Sequence, residues 1–287
     1  NVGADGTVTV VDGRRLYAFG HRFLNIGPVE LPFARAEVLT LLPALSTSFK
    51  ISTPREWLGA ITRDGSTAIA GELGRRASLT PLTIRMNRVR PDGTRIPVAS
   101  YGVEMVTERY LTPVLLQIAV FSALDATERA VGASSFALHG RVDFNDPVAG
   151  IRFDNMFSGD YNVPMQVSTA VAIPVAYAMQ TGFESLRPRR VDLTVDAFPA
   201  RRVWTLDQAW VSRPTVRPGE TAEIQVTLAG DNGAQSKRKL TYQVPVGLPA
   251  GPLYFTIADG PTTNITEYAQ IAAQTPRSAA QVVTLLN

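Results

Sequence analysis

Over most of its length the chain alternates apolar and polar residues in short stretches broken by turn formers. Thr7–Val11 is β-branched, Arg14–Phe19 alternates, and Asp12-Gly13 between them signals a hairpin that Gly20 stops. A loop from Gly20-His21 through Gly27-Pro28 follows, then an apolar region, Leu31 to Ser52, read as strands near 36–42 and 47–52. Trp57–Ile61 and Ala68–Ala70 read as strands joined across Arg63-Asp64-Gly65-Ser66. Leu82–Arg90 and Ile96–Val106 form a second hairpin pattern around Pro91-Asp92-Gly93.

The period changes after Thr107. Leu111, Leu115, Ile118, Ala119 and Ser122 recur at helical spacing, so 112–131 is expected to be a helix with Pro113 in its first turn. Ser135–Phe144 alternates as a strand, Val163–Val171 is mixed, and Pro174–Ser185 reads as a second helix on its Ala, Met, Gln and Glu content. Arg187-Pro188-Arg189-Arg190 reads as a domain boundary. Beyond it, Val191–Asp196, Arg202–Ser212, Ala222–Leu228, Lys239–Val244 and Leu253–Ala258 predict a small Ig-like β-sandwich. Its core is expected to hold Trp204, Trp210, Leu228, Tyr242 and Phe255. The tail from Thr266 predicts two helical pieces around Pro276, with Ser278 as a cap.

Composition narrows the function. The 287 residues are 45% hydrophobic, enough for a sizeable core, and 22 Gly with 20 Pro favour short strands and many turns. With 28 basic and 25 acidic residues the net charge is only +3, and no basic block is long enough for a nucleic-acid footprint. The absence of Cys removes disulfides, thiol catalysis and Cys-based zinc sites. No apolar run reaches the ~20 residues a bilayer span needs. The start at Asn1, without Met or signal peptide, is expected of a processed or trimmed piece.

Three residues invite a catalytic reading. His21 ends an apolar strand in a Gly-flanked loop, where a neutral imidazole can deprotonate a hydroxyl; a loop histidine bonding backbone accounts for it as well. Asp64, in a turn before Gly65, can orient that imidazole through its far nitrogen, or can be an Asx-turn residue. Ser158, in Phe157-Ser158-Gly159-Asp160, is the nearest local shape to a nucleophile, though neither G-x-S-x-G nor G-x-S-G occurs. His139 lies in a strand pattern and reads as structural. No metal cluster, phosphate loop or dinucleotide motif is evident, so neither metal nor cofactor is expected.

The stretch Gly6-Thr7-Val8-Thr9 through Tyr17-Ala18-Phe19-Gly20-His21-Arg22-Phe23 resembles the SpoIVB-type serine peptidases, in particular the large exported bacterial homologues. The likeness continues through Ser48-Phe49-Lys50, Gly59-Ala60-Ile61, Asp64, Ile69-Ala70-Gly71-Glu72-Leu73-Gly74, Pro174–Leu186 and Val216-Arg217-Pro218-Gly219-Glu220-Thr221. It implies a trypsin-like double β-barrel core over 1–186, with inserted helices, before the Ig-like sandwich (187–262) and the helical tail (263–287). It also implies His21 as general base, a protein or peptide substrate, and a periplasmic or envelope location. The family's G-M-S-G-S-P nucleophile motif does not occur in this chain; the serine is expected from an upstream segment, which self-cleavage before Asn1 would leave as a second chain. Arg22 departs from the small residue or Pro usual after the histidine, and Asp64 stands where relatives carry Asp or Asn.

Two other readings compete. The missing nucleophile fits a non-catalytic envelope scaffold on a peptidase-derived fold, binding through the strands of 187–260. The acidic stretch Asp143, Asp146, Asp154 and Asp160 offers the facing carboxylates of a carbohydrate-active enzyme, although turn residues explain it equally.

Overall fold

The computed structural model describes residues 3–46, 48–128, 131–145, 150–272 and 274–287. The chain is mainly β, with three sheets and four α-helices among the described residues. Sheet A joins β1 (Val8–Asp12), β2 (Arg15–Ala18), β3 (Gly27–Leu42), β4 (Phe49–Asp64) and β5 (Ile69–Leu73) in the order β1-β2-β5-β4-β3, all antiparallel. Asp12-Gly13 makes the expected hairpin because Gly13 takes φ +57°, a conformation that costs glycine nothing. The core of this sheet is small: Leu16, Ala18, Ile61 and Ile69, with Phe19, Val29, Leu31 and Phe33 against them. The β3–β4 ribbon runs well past that core, and Val38, Leu39, Leu41, Phe49 and Ile51 on its distal half are exposed.

Sheet B contains β6 (Leu79–Val89), β7 (Arg95–Val106), β8 (Val131–Phe144), β9 (Ile151–Tyr161) and β10 (Pro188–Phe198), ordered β7-β6-β10-β8-β9. Strand β10 is parallel to β6 and antiparallel to β8. The boundary expected at 187 therefore does not exist: β10 is the central strand of the larger sheet, not the first strand of a separate sandwich. Alternation along β6, β8 and β10 puts Leu82, Ile84, Met86, Leu138, Val142, Leu193 and Val195 on one face. Helices α1 (Leu111–Thr127) and α2 (Val163–Gln180) cover that face with Leu116, Val120, Leu124, Val167, Val171 and Val175. Each such side chain contributes about 1.5–3 kcal/mol by burial, so this layer is the stable body of the molecule.

Helix α2 begins eleven residues before the expected start, and Pro174 lies inside it. Valines at 163, 167, 171 and 175 recur every fourth residue and are all buried. That apolar stripe decides the element over their strand preference and over the proline's missing N–H.

After β10 comes one three-stranded antiparallel sheet, β11 (Trp204–Val211), β12 (Thr221–Gly230) and β13 (Gln235–Gln243). Leu253–Ala258, expected as a further strand, takes no regular structure. The expected core also differs: Trp204, Trp210 and Tyr242 are exposed, Leu228 and Phe255 are half-buried, and the buried residues are Ala222, Ile224, Val226 and Val244. Among the described residues these strands form a single layer, and its aromatics are not enclosed. No sheet closes into a barrel among the described residues.

Helix α3 (Gly260–Ala272) and α4 (Ala279–Leu286) form the tail on either side of Pro276. Ser278 caps α4 as expected, its hydroxyl accepting the Gln281 N–H. The tail is not an appendage, because Ala279, Val282 and Val283 join the core of sheet B. Asn287 then bonds both Gly150 O and Arg152 N beside the edge strand β9. Among the described residues no helix is long and apolar enough to cross a membrane.

Candidate functional site

The loop from Phe19 to Gly27, between β2 and β3, carries His21. It is built from unusual backbone: Phe19, Gly20, Asn25 and Gly27 all have φ between +60° and +78°. Glycine tolerates this region; a bulky aromatic such as Phe19 does so at a cost of order 1–3 kcal/mol, repaid only where surrounding structure fixes it. Two features fix it. The Phe19 N–H donates to Thr7 O at 2.9 Å, and its ring lies over Gly6, where an added Cβ would come within 1.9 Å of it. The same ring meets His21 at 5.7 Å between centroids and Phe23 edge-on at 5.9 Å.

Asp64, the last residue of β4, is wholly buried, at 0% exposure. Its Oδ1 accepts the Phe23 N–H at 2.9 Å, and its Oδ2 accepts the Leu24 N–H at 2.6 Å and the Ile26 N–H at 3.5 Å. The carboxylate is thus the loop's internal clamp. It does not bond the imidazole, as an orienting triad aspartate is expected to do. A charged acceptor serving three backbone donors explains how it stays buried without a cation partner.

His21 is exposed on this clamped loop, and its Nδ1 lies 2.6 Å from Arg22 O. A carbonyl only accepts, so Nδ1 carries a hydrogen at this contact, and the neutral form of the ring would hold its lone pair on Nε2. The backbone performs the tautomer selection that an aspartate performs in a triad. The amides of Phe23, Leu24 and Ile26 are committed to Asp64, so they are not free to stabilise an oxyanion.

Ser158 lies elsewhere, mid-strand in β9 opposite Ser135 of β8. Its Oγ is 2.7 Å from Ser135 Oγ and accepts the Arg202 N–H at 3.0 Å; Ser135 Oγ donates to Ala200 O and accepts the same Arg202 N–H. The two hydroxyls tie the segment after β10 to sheet B, and no histidine reaches either. Ser158 is a structural serine. Of the acidic stretch, Asp143 pairs with Arg141, Asp154 with His139 and Asp160 with Arg201, while Asp146 lies outside the described residues. Each described carboxylate has a basic partner, so no facing acid pair results.

Sequence reasoning passed over His139. Its strand alternation, read as structural, places the ring on the face of sheet B away from α1 and α2, with Nδ1 2.9 Å from Asp154 Oδ1. It borders a hollow of about 510 Å³ with Arg85, Arg141, Arg152, Asp192 and Thr194. A smaller hollow of about 210 Å³ lies against Trp210, Lys237 and Lys239 of the three-stranded sheet. Neither hollow borders His21. The signal for the first was in the sequence: Arg85, Thr194, His139 and Asp154 all occupy polar slots of alternating strands.

Among the described residues, no group of three or more His, Asp or Glu side chains converges in a way that could hold a metal ion. Compared with known proteins, the chain matches no family model, no curated protein and no solved structure.

Proposed function

We propose that the chain is part of an exported serine endopeptidase of the SpoIVB type, with His21 as general base and the serine supplied by a polypeptide segment preceding Asn1. The observation that carries this reading is the His21 loop. A strained backbone, held by a buried carboxylate, presents an exposed imidazole whose Nδ1 faces the Arg22 carbonyl, a contact that suits Nδ1–H and leaves Nε2 to act as base. Nε2 takes the proton of the serine hydroxyl as its oxygen attacks the peptide carbonyl carbon, then returns that proton to the leaving amine. Asp64 acts on the histidine through the loop, as a positioning residue.

Two features support a nucleophile from another stretch. The amides of Phe23, Leu24 and Ile26 are committed to Asp64, which favours oxyanion donors that arrive with the serine, as they do when a serine sits among glycines. Sheet A also exposes Val8, Val10, Val11 and Trp57, and the loop exposes Phe23 and Leu24, apolar side chains that a covering segment would bury. In this reading sheet A is one wall of the trypsin-like double barrel, completed by the segment bearing the serine. The β11–β13 sheet is one layer of the Ig-like sandwich. An envelope location and a protein or peptide substrate follow from the same resemblance.

A fluorophosphonate probe on the longest natural chain tests the proposal. Labelling of one serine is expected, lost in His21→Ala and kept in Ser158→Ala. Labelling that survives His21→Ala removes the histidine from the mechanism. The absence of any labelled serine in the natural chain favours instead the non-catalytic scaffold reading.

A further inference from the structure

The face of sheet B away from α1 and α2 carries a second constellation. Strand register sets Arg85 of β6 beside Thr194 of β10, Thr194 beside His139 of β8, and His139 beside Asp154 of β9. These four residues form one transverse row with strands about 4.8 Å apart. The neighbouring row on the same face runs Thr83, Asp192, Arg141, Arg152. The hollow of about 510 Å³ lies over both rows.

Charge is distributed unevenly there. Arg141 is satisfied by Asp143, and Asp192 by Arg190. Asp154 is held by His139, whose Nδ1 lies 2.9 Å from its Oδ1. Among the described residues, the guanidinium groups of Arg85 and Arg152 have no carboxylate partner, and neither Thr194 Oγ1 nor His139 Nε2 has a hydrogen-bond partner. Two guanidinium forks and a hydroxyl, unpartnered among the described residues, border one hollow and suit an oxyanion, since guanidinium binds carboxylate and phosphate oxygens in pairs.

We propose that this face is a binding site for a small oxyanion, a phosphate or carboxylate group, held by Arg85 and Arg152 with Thr194 between them, and with the His139 ring alongside as its reporter. Asp154 and Asp192 border the same hollow and would repel a continuous polyanion, so the site takes a compact group and not a nucleic acid. It is separate from the His21 loop and stands whether or not that loop is catalytic.

The chain has two histidines, which makes imidazole NMR of the intact protein a direct reporter. Inorganic phosphate and acetate are titrated in separate arms at constant pH and ionic strength. Saturable movement of the His139 ring signals with His21 unmoved is expected in at least one arm; the arm that responds identifies phosphate or carboxylate as the source. Arg85→Gln and Arg152→Gln, both exposed changes, should each weaken binding about tenfold, the scale of one lost charge-assisted pair. No saturable shift in either arm, equal movement of both histidines, or a shift that persists in the double variant overturns the proposal.

Discussion

Asp64 shows at the scale of one residue how sequence and geometry part. That an acidic residue before Gly65 matters to the histidine loop was legible; that its oxygens serve three amides instead of the imidazole was not, because a loop's backbone direction leaves no pattern in residue types. Asp64→Ala strips a charged acceptor from donors it alone satisfies, and is expected to cost about 2–4 kcal/mol of stability in urea unfolding. Asp64→Asn keeps the volume but turns an NH₂ toward an N–H, so it should also destabilise, by less. Glu30 works similarly near the start of β3. Its carboxylate accepts the Ser78 N–H at 3.0 Å and pairs with Arg75. The Ser78 hydrogen bond, with Arg75 adding to it and burial opposing it, holds its pKa below the ordinary glutamate value. A depressed folded pKa means stability that is complete above the unfolded value and lost as pH falls through the folded one. Unfolding free energy should therefore drop more steeply through acid pH in the natural protein than in Glu30→Gln, and equal slopes would discount the contact.

At the scale of elements, the short hairpins were readable because Asp12-Gly13 and Pro91-Asp92-Gly93 impose their turns locally: Gly93 takes φ +86° and the Thr94 N–H donates to Asp92. The place of β10 was not readable. Its partners β6 and β8 lie far upstream, and its Arg-Pro-Arg-Arg lead resembles a linker. Parallel pairing through a helical crossover writes no local signature. The start of α2 was obscured for another reason, since its valines favour strand until a partner layer rewards their fourfold spacing. Leu193 in the middle of β10 is fully buried. Leu193→Ala should cost about 2–5 kcal/mol and raise amide exchange together across β6, β8, β10 and α4, while β11–β13 keep their protection. Loss of protection in β11–β13 instead would mean that β10 belongs with them.

At the scale of the whole molecule, one α/β layer supplies most of the buried core, and sheet A with its long ribbon presents apolar surface outward. The chain leaves sheet B after β10, builds β11–β13, and returns through α4 to close that same core. The His21 loop sits on the less enclosed sheet, so the proposed chemistry depends on what covers that sheet; a nucleophile was not legible because Ser158, the nearest local shape, is held against Ser135 and the Arg202 N–H. Peptide hydrolysis by the longest natural chain is the most direct measurement. With the histidine as base, His21→Ala should lower kcat/KM by on the order of 10⁴-fold or more with the fold intact by circular dichroism. An unchanged kcat/KM in that variant would contradict the account.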